Sequence, residues 1–274
     1  MAEQIWDSFA RLNAGERFKA QSAEMGAAVT EAIVEATHVA PGMLRVLDVA
    51  CGSGEPSIPI AALLQGTGQV VGLDMAAAPL EVARARAQKR GLENVDYVQG
   101  DVHALPFAGE SFDRVTSRLG VMFFGDLPKA LGEMRRVLKP GGQVALLAWG
   151  AMQQPYFERT IGTVRRMRPE LEVPRAALAM FRFGVAGTLG AALVEAGFSA
   201  VNEQVQRIPW DWHGTPEELW EYFRGVTVPF HALLEKVQGD AEVERAVLAA
   251  LGEGFDGEWV RCQAEMVVAA AMRM

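Results

Sequence analysis

Short segments that read as strands alternate with longer stretches whose apolar residues recur at helical spacing. The strand segments are RVLDVA (45–50), QVVGLD (69–74), VDYVQG (95–100), FDRVTSR (112–118) and QVALLAW (143–149). RVLDVA, a continuous apolar run holding one acid, suits a strand buried on both faces of a parallel sheet. Between them the spacing predicts helices over Ser57–Leu64, Pro79–Arg90 and Leu127–Leu138. Prolines fall in the first turn of the Ser57 helix, where a missing N–H costs nothing. Arg84, Arg86, Lys89 and Arg90 crowd the C-terminal end of the Pro79 helix, where cations complement the dipole, and Gly91 is placed to terminate it. Lys139-Pro140-Gly141-Gly142 reads as the stop of the Leu127 helix. Strand and helix in strict alternation imply a right-handed, doubly wound, mostly parallel α/β sheet.

The flanks follow other rules. Residues 3–37 read as helices, with Trp6, Phe9 and Phe18 as large apolar groups and Val29, Ile33 and Val34 at helical spacing. Pro41 and Gly42 end that stretch. After Gly150 the alternation stops. Residues 151–183 carry Tyr156, Phe157, Met167, Met180, Phe181 and Phe183 among several arginines, and read as a helical lid. Thr188–Ala196 is helical again, VNEQVQRIPW is a strand, 215–251 is helical with a break near Pro229, and CQAEMVVAAAM is a closing strand. The expected organisation is a helical cap at 1–40, a core at 41–150, the lid at 151–183, and a return to the core at 184–274 carrying a helical substrate cap at about 212–255.

Composition narrows the function. Half of the 274 residues are hydrophobic, enough for a full core, and the net charge is -8. An acidic surface repels phosphate backbones and anionic lipid, so neither nucleic acid nor membrane is the expected partner. Two cysteines, Cys51 and Cys262, make no disulfide framework, and four histidines show no ligand spacing, so no metal site is expected. The N-terminus is charged throughout and has no long apolar run. A cytoplasmic protein, monomeric or homodimeric, acting on a small molecule is the expectation.

The chemistry concentrates in Asp48-Val49-Ala50-Cys51-Gly52-Ser53-Gly54, which follows the first strand and opens a helix. Glycines there let a ligand approach the backbone, and loop amides with a helix N-terminus can meet a carboxylate or phosphate. Asp48, just before the turn, suits a cationic group such as an amino acid's ammonium. Asp74 ends the second strand about 20 residues past the loop, the position from which a carboxylate takes ribose hydroxyls. Asp101 ends the third, where it can accept from an adenine amino group. A dinucleotide is the rival ligand, but G-x-G-x-x-G/A fails: counting from Gly52, the third position is Ser57, preceded by Glu55 and Pro56. Glu55 is expected to repel a pyrophosphate.

The stretches VLDVACGSG, VVGLDMA, VQGDVHALPFAGESFDRV and EMRRVLKPGGQVALLAW, between Val46 and Trp149, resemble the class I S-adenosylmethionine-dependent methyltransferases, in particular the ubiquinone/menaquinone-biosynthesis branch. The resemblance implies a Rossmann-like sheet with a C-terminal antiparallel hairpin, supplied by VNEQVQRIPW and AEMVVAAAM. It implies S-adenosylmethionine as cofactor and S-adenosylhomocysteine as product. Asp48, Gly52 and Gly54 would hold the methionine end, and Asp74 the ribose, with Met75 on the adenine. Asp101 and Val102 would flank the adenine amino group, and Ser117 and Arg118 would reach the methionine side.

A sulfonium methyl is already activated, so the protein must align a nucleophile and exclude water; a base is needed only for a protonated nucleophile. The segment SRLGVMFFGDLP lacks the Asn-Pro-Pro-Tyr type element of amide and exocyclic-amine methylation. Apolar and aromatic residues stand in its place and beyond: Met122, Phe123, Trp149, Phe157, Phe181 and Tyr222 are candidate contacts for a hydrophobic or aromatic acceptor. His213 and His231 are candidate bases. The N-terminal helices, with Trp6 and Phe18, are expected to close over the cofactor. The rival functions are methylation of protein or RNA, and a non-catalytic, S-adenosylmethionine-binding regulatory role.

Overall fold

The computed structural model describes residues 15–40, 42 and 45–274. The expectations placed on Trp6 and Phe9 lie outside the described residues. In chain order the longer elements are α1 (Lys19–Met25), α2 (Ala27–Thr37), β1 (Arg45–Val49), α3 (Ser57–Leu64), β2 (Gln69–Asp74), α4 (Ala77–Lys89), β3 (Val95–Gln99), β4 (Phe112–Arg118), α5 (Leu127–Val137) and β5 (Leu138–Trp149). They continue as α6 (Pro155–Phe157), a π-helical turn over Glu158–Gly162, α7 (Thr163–Met167), α8 (Arg175–Ala179), α9 (Thr188–Glu195), β6 (Ser199–Pro209) and β7 (Trp212–His213). Last come α10 (Pro216–Val226), α11 (His231–Leu234), α12 (Ala241–Gly252), β8 (Trp259–Val260) and β9 (Gln263–Met272).

Seven strands form one sheet in the order β3-β2-β1-β4-β5-β9-β6. β1 pairs in parallel with β2 and β4, β2 with β3, and β4 with β5. The order reverses between β1 and β4, which opens a crevice beyond the carboxyl ends of these strands. β9 runs against β5: Gly141 N–H donates to Arg273 O at 2.7 Å, while Gly150 N–H donates to Glu265 O at 2.8 Å. The fold is therefore the Rossmann-like α/β sheet with an antiparallel C-terminal edge that the sequence leads one to expect.

One expectation needs correction. Lys139–Gly142 is not a simple helix stop. β5 already begins at Leu138, paired with Phe112, and resumes its ladder at Gln143, paired with Arg114. The intervening residues bulge out of the register, and Arg273 claims their backbone: its N–H donates to Gly142 O at 2.8 Å. A second small sheet, β7 against β8 in antiparallel pairing, was not foreseen, because two-residue strands leave no periodicity.

The chain divides into two compact units. The sheet unit comprises Thr30–Ala148, Val185–Gln206 and Val267–Met274. Its core packs α3 and α4 on β1–β3. Val46, Ile60, Ala61, Leu64 and Val70 form one buried cluster, and Cys51, Ile58, Leu80, Ala83, Ala87 and Tyr97 another. α5 starts where Asp126 accepts the Lys129 N–H at 3.0 Å, with Pro128 in its first turn and Arg135 and Arg136 in its last. The ring-rich unit comprises the described residues up to Val29 together with Trp149–Gly184 and Arg207–Met266. There α10 opens with a capping box, Thr215 and Glu218 each bonding the other's backbone. Phe18 is buried against Trp212 and Tyr222 at ring distances of 5.5 and 6.1 Å, so its ring serves this unit's core.

Candidate active site

The turn after β1 makes the site. Ala50 and Gly52 have positive φ values of 58° and 51°, and Gly54 one of 101°. A side chain on Gly54 would strike Ile58 Cδ1 at 2.7 Å and crowd the Tyr97 hydroxyl at 3.0 Å, so this glycine keeps the turn close to α3. Gly52 differs: a Cβ built there meets nothing within 4 Å. Its bare backbone faces open space.

Asp48 lies beneath this turn and is fully buried. Its Oδ2 accepts the Ser57 N–H at 2.9 Å and the Ser57 hydroxyl, whereas Oδ1 has no hydrogen-bond partner. Burial pushes its pKa up to about 7, against the pull of the Ser57 bonds and helped by the nearby carboxylates of Glu55 and Asp74. A buried acceptor with no donor is costly to keep. A ligand ammonium supplies the missing donor and the missing positive charge, so the residues present fit the methionine end of S-adenosylmethionine.

Asp74 ends β2, half-exposed, and is already engaged: Oδ2 accepts Gly52 N–H at 2.8 Å and Oδ1 accepts Ala76 N–H at 3.0 Å. It thus ties the glycine turn to the neighbouring strand end while each oxygen retains a lone pair for a ribose hydroxyl. Met75, next in the chain, is 42% exposed, available to lie on a base. Asp101 is more open still, its side chain 60% exposed. The backbone N–H of His103, and then its ring, hold the Asp101 carboxyl below the usual range. Val102 is buried behind it. Ser117 and Arg118 end β4, and the Ser117 hydroxyl is buried without a partner. A Cβ on Gly120 would meet that hydroxyl at 2.7 Å and Ala50 Cβ at 2.5 Å, so the end of β4 packs directly on the glycine turn.

The structure therefore brings Asp48, Gly52, Gly54, Asp74, Asp101 and Ser117 to adjacent strand ends of one unit. Glu55 requires a correction. Rather than standing as a free negative charge, it pairs with Arg86 at 2.6 Å, and the same guanidinium bonds Ser53 O at 2.6 Å. Repulsion by Glu55 does not exclude a pyrophosphate. What distinguishes the turn is Ser57, at the failed fingerprint position, committed to Asp48. Three residues carried no readable signal: Ser57, Tyr97 and His103. The ring of Tyr97 fills the place a side chain of Gly72 would take, 2.6 Å from the built Cβ, and its buried hydroxyl is unpartnered beside Gly54. Only the glycine inside the β2 run hints at so close an approach.

Among the candidate acceptor contacts, Met122 is buried and Phe123 half-buried in the turn after β4. Trp149, Phe157 and Phe181 belong to an aromatic cluster of the ring-rich unit. Phe157 meets Trp149 at 5.0 Å, Tyr156 at 5.2 Å and Phe181 at 4.8 Å, and Trp149 meets Trp210 at 5.1 Å. Tyr222 is elsewhere, 4.9 Å from Trp212. His213 is an exposed histidine stacked on Trp259 at 4.4 Å, with Glu24 at 3.2 Å and Glu258 at 3.5 Å from its two nitrogens. His231 keeps a buried Nε2 with no partner. Among the described residues no group of three or more His, Cys, Asp or Glu could hold a metal ion, and no helix is long and apolar enough to cross a membrane.

Comparison with known proteins bears on the family and the fold. An uncharacterized protein of Mycobacterium tuberculosis is 34% identical over 223 residues, covering 80% of this chain and 74% of its own. The demethylmenaquinone methyltransferase of Thermus thermophilus is 40% identical over 125 residues, 43% of this chain and 56% of that protein. The crystal structure of the Bacillus subtilis YcgJ protein shares the fold, with a TM-score of 0.56 at 20% identity over 90% of this chain and 98% of that one. The model of the ubiE/COQ5 methyltransferase family matches residues 26–165, half of the chain. The chain belongs to the ubiE/COQ5 methyltransferase family, and it is an enzyme that takes S-adenosylmethionine as its methyl donor.

Proposed function

We propose that the enzyme methylates a small hydrophobic, aromatic acceptor of the quinol or phenol type by in-line displacement at the sulfonium methyl. The observation that carries the cofactor half is Asp48: a fully buried carboxylate with one oxygen unpartnered beneath a glycine that faces open space. The acceptor half is supported by the apolar turn Val121–Phe124 after β4 and by the relative that bears the name demethylmenaquinone methyltransferase. The overall charge of -8 weighs against RNA as the acceptor.

In this reading Asp48 accepts the ammonium, Asp74 the ribose hydroxyls and Asp101 the adenine amino group. The donor supplies a methyl on positive sulfur, which leaves as a neutral thioether when the acceptor's lone pair forms the new bond. The chain's part is to hold the two in line near 3 Å and to keep water out. A phenolic acceptor must lose its proton before or during transfer. Of the two candidate histidines, His213 already faces two carboxylates, whereas the buried Nε2 of His231 has no partner, which makes His231 the better candidate.

The test is a turnover screen that follows S-adenosylhomocysteine release over phenols, quinols, thiols, amines, charged peptides and RNA. Turnover with quinols or phenols alone is the expected result. Transfer only to charged peptides or RNA would overturn the acceptor assignment.

A further inference from the structure

His103 stands two residues past the acid assigned to the base, and its backbone N–H and both ring nitrogens are committed. Its backbone N–H donates to Asp101 Oδ1 at 2.9 Å, and its ring Nδ1 lies 2.6 Å from the same oxygen. On the other side of the ring, Nε2 is 3.2 Å from the backbone nitrogen of Asp126. A backbone N–H can only donate, so Nε2 is the acceptor and the ring proton sits on Nδ1, aimed at Asp101. The ring meets Phe124 edge-on at 6.4 Å, and Asp126 is itself the N-cap of α5. The tautomer and the orientation are thus both fixed by the first residues of the next helix.

The consequence falls on Asp101. With Oδ1 taken twice by His103, Oδ2 is the oxygen left to face a ligand. A carboxylate held in this way presents acceptors only. It accepts from a 6-amino group and opposes the carbonyl of a 6-oxo purine, whose oxygen brings no proton. Were Asp101 free to rotate, either oxygen could turn away and water could fill the gap.

We propose that His103 is a positioning residue that sets the purine selectivity of the cofactor site, by clamping Asp101 against the N-terminus of α5 so that a single carboxylate oxygen reads the 6-amino group. The inference rests on the assignment of Asp101 to the adenine, and the experiment separates the two.

Titration calorimetry on the full chain compares S-adenosylhomocysteine with S-inosylhomocysteine, its 6-oxo counterpart. The wild type binds the adenosine form tighter by roughly tenfold to a hundredfold, as expected for one charge-assisted hydrogen bond gained or opposed. His103→Ala brings that ratio to within about threefold. Two further variants divide the ring: His103→Asn carries a side-chain amide where Nδ1 stood and restores most of the ratio, whereas His103→Gln reaches toward Asp126 and does not. These two keep the experiment decisive if the alanine variant is unstable. Retention of the wild-type ratio in His103→Ala and His103→Gln, with both ligands weakened alike, would show a purely structural role and overturn the proposal. A wild type that binds both nucleosides equally would instead refute the Asp101 assignment, and the inference with it.

Discussion

The two units bury their unmet polar atoms in different settings. In the ring-rich unit these are the ring nitrogens Trp210 Nε1, Trp212 Nε1 and His231 Nε2, in a core where Phe157 alone has Trp149, Tyr156, Phe181, Phe223 and Phe230 within 6.3 Å of its ring. In the sheet unit unmet oxygens gather about one glycine turn: Asp48 Oδ1, the Tyr97 hydroxyl and the Ser117 hydroxyl. The first pattern is a packed aromatic core. The second costs stability, and a ligand held at the turn would complete it. Unmet oxygens that converge on one turn are therefore a better pointer to the candidate site than a concentration of aromatic side chains.

Substitutions in each region can break or sharpen that contrast. The largest effect belongs to the rings. Phe157→Ala removes a fully buried side chain, and a loss of about 3–5 kcal/mol is expected in denaturant unfolding. A loss below about 1 kcal/mol would mean the cluster yields easily, as a binding surface does, and the contrast would fail.

Asp48 should behave in the opposite sense. Its folded pKa of about 7 lies above the ordinary value of 3.8, so the folded protein holds a proton that the unfolded chain has released. The stability this contributes is complete below about pH 4 and is lost as pH rises toward 7, by up to roughly 4 kcal/mol for a shift of this size. Asp48→Asn should remove that slope from the ligand-free protein's stability profile while weakening S-adenosylhomocysteine binding at pH 8. A variant with an unchanged slope would show that the carboxyl is not protonated in the fold.

Asp74 comes next. It orders the turn through Gly52 and Ala76 and, in our reading, the ribose as well. Asp74→Ala should raise the Kd for S-adenosylhomocysteine about tenfold to a hundredfold by calorimetry, the range for a hydrogen bond to a charged group. A smaller change would leave the turn without its assigned role. His213 sets the lower end. Being exposed, and paired with exposed acids, it should change unfolding stability by less than about 1 kcal/mol on replacement by alanine and leave turnover intact. A collapse of turnover in that variant would restore it as a base.

The same contrast explains what the sequence revealed. Gln69–Asp74 was legible to the residue because a parallel strand covered on both faces is a nearly unbroken apolar run, and Phe112–Arg118 because it falls where the alternation of strand and helix requires a strand. Asp48, Asp74 and Asp101 could be placed at neighbouring strand ends, because each stands at or just past the close of a strand-like segment; their binding roles belong to our proposal. Ser57, Tyr97 and His103 were not legible: Tyr97 reaches Gly72 and Gly54 from another strand, while Ser57 and His103 meet Asp48 and Asp101 through turns whose path no local pattern marks. The rings were visible as residue types only. Nothing in their spacing says that Phe157 and Trp149 meet while Tyr222 joins Trp212 instead. The bulge at Lys139–Gly142 was hidden because Pro and Gly signal a helix stop and an interrupted strand alike.

Gly72 shows how far the packing around the glycine turn reaches into the sheet. The space over its α-carbon belongs to the ring of Tyr97 and the sulfur of Cys51, each closer than 3 Å to where a methyl would stand. A single added carbon at mid-strand would therefore displace the aromatic buttress or the cysteine that leads into the glycine turn and, in our reading of that turn, loosen the donor from within the sheet.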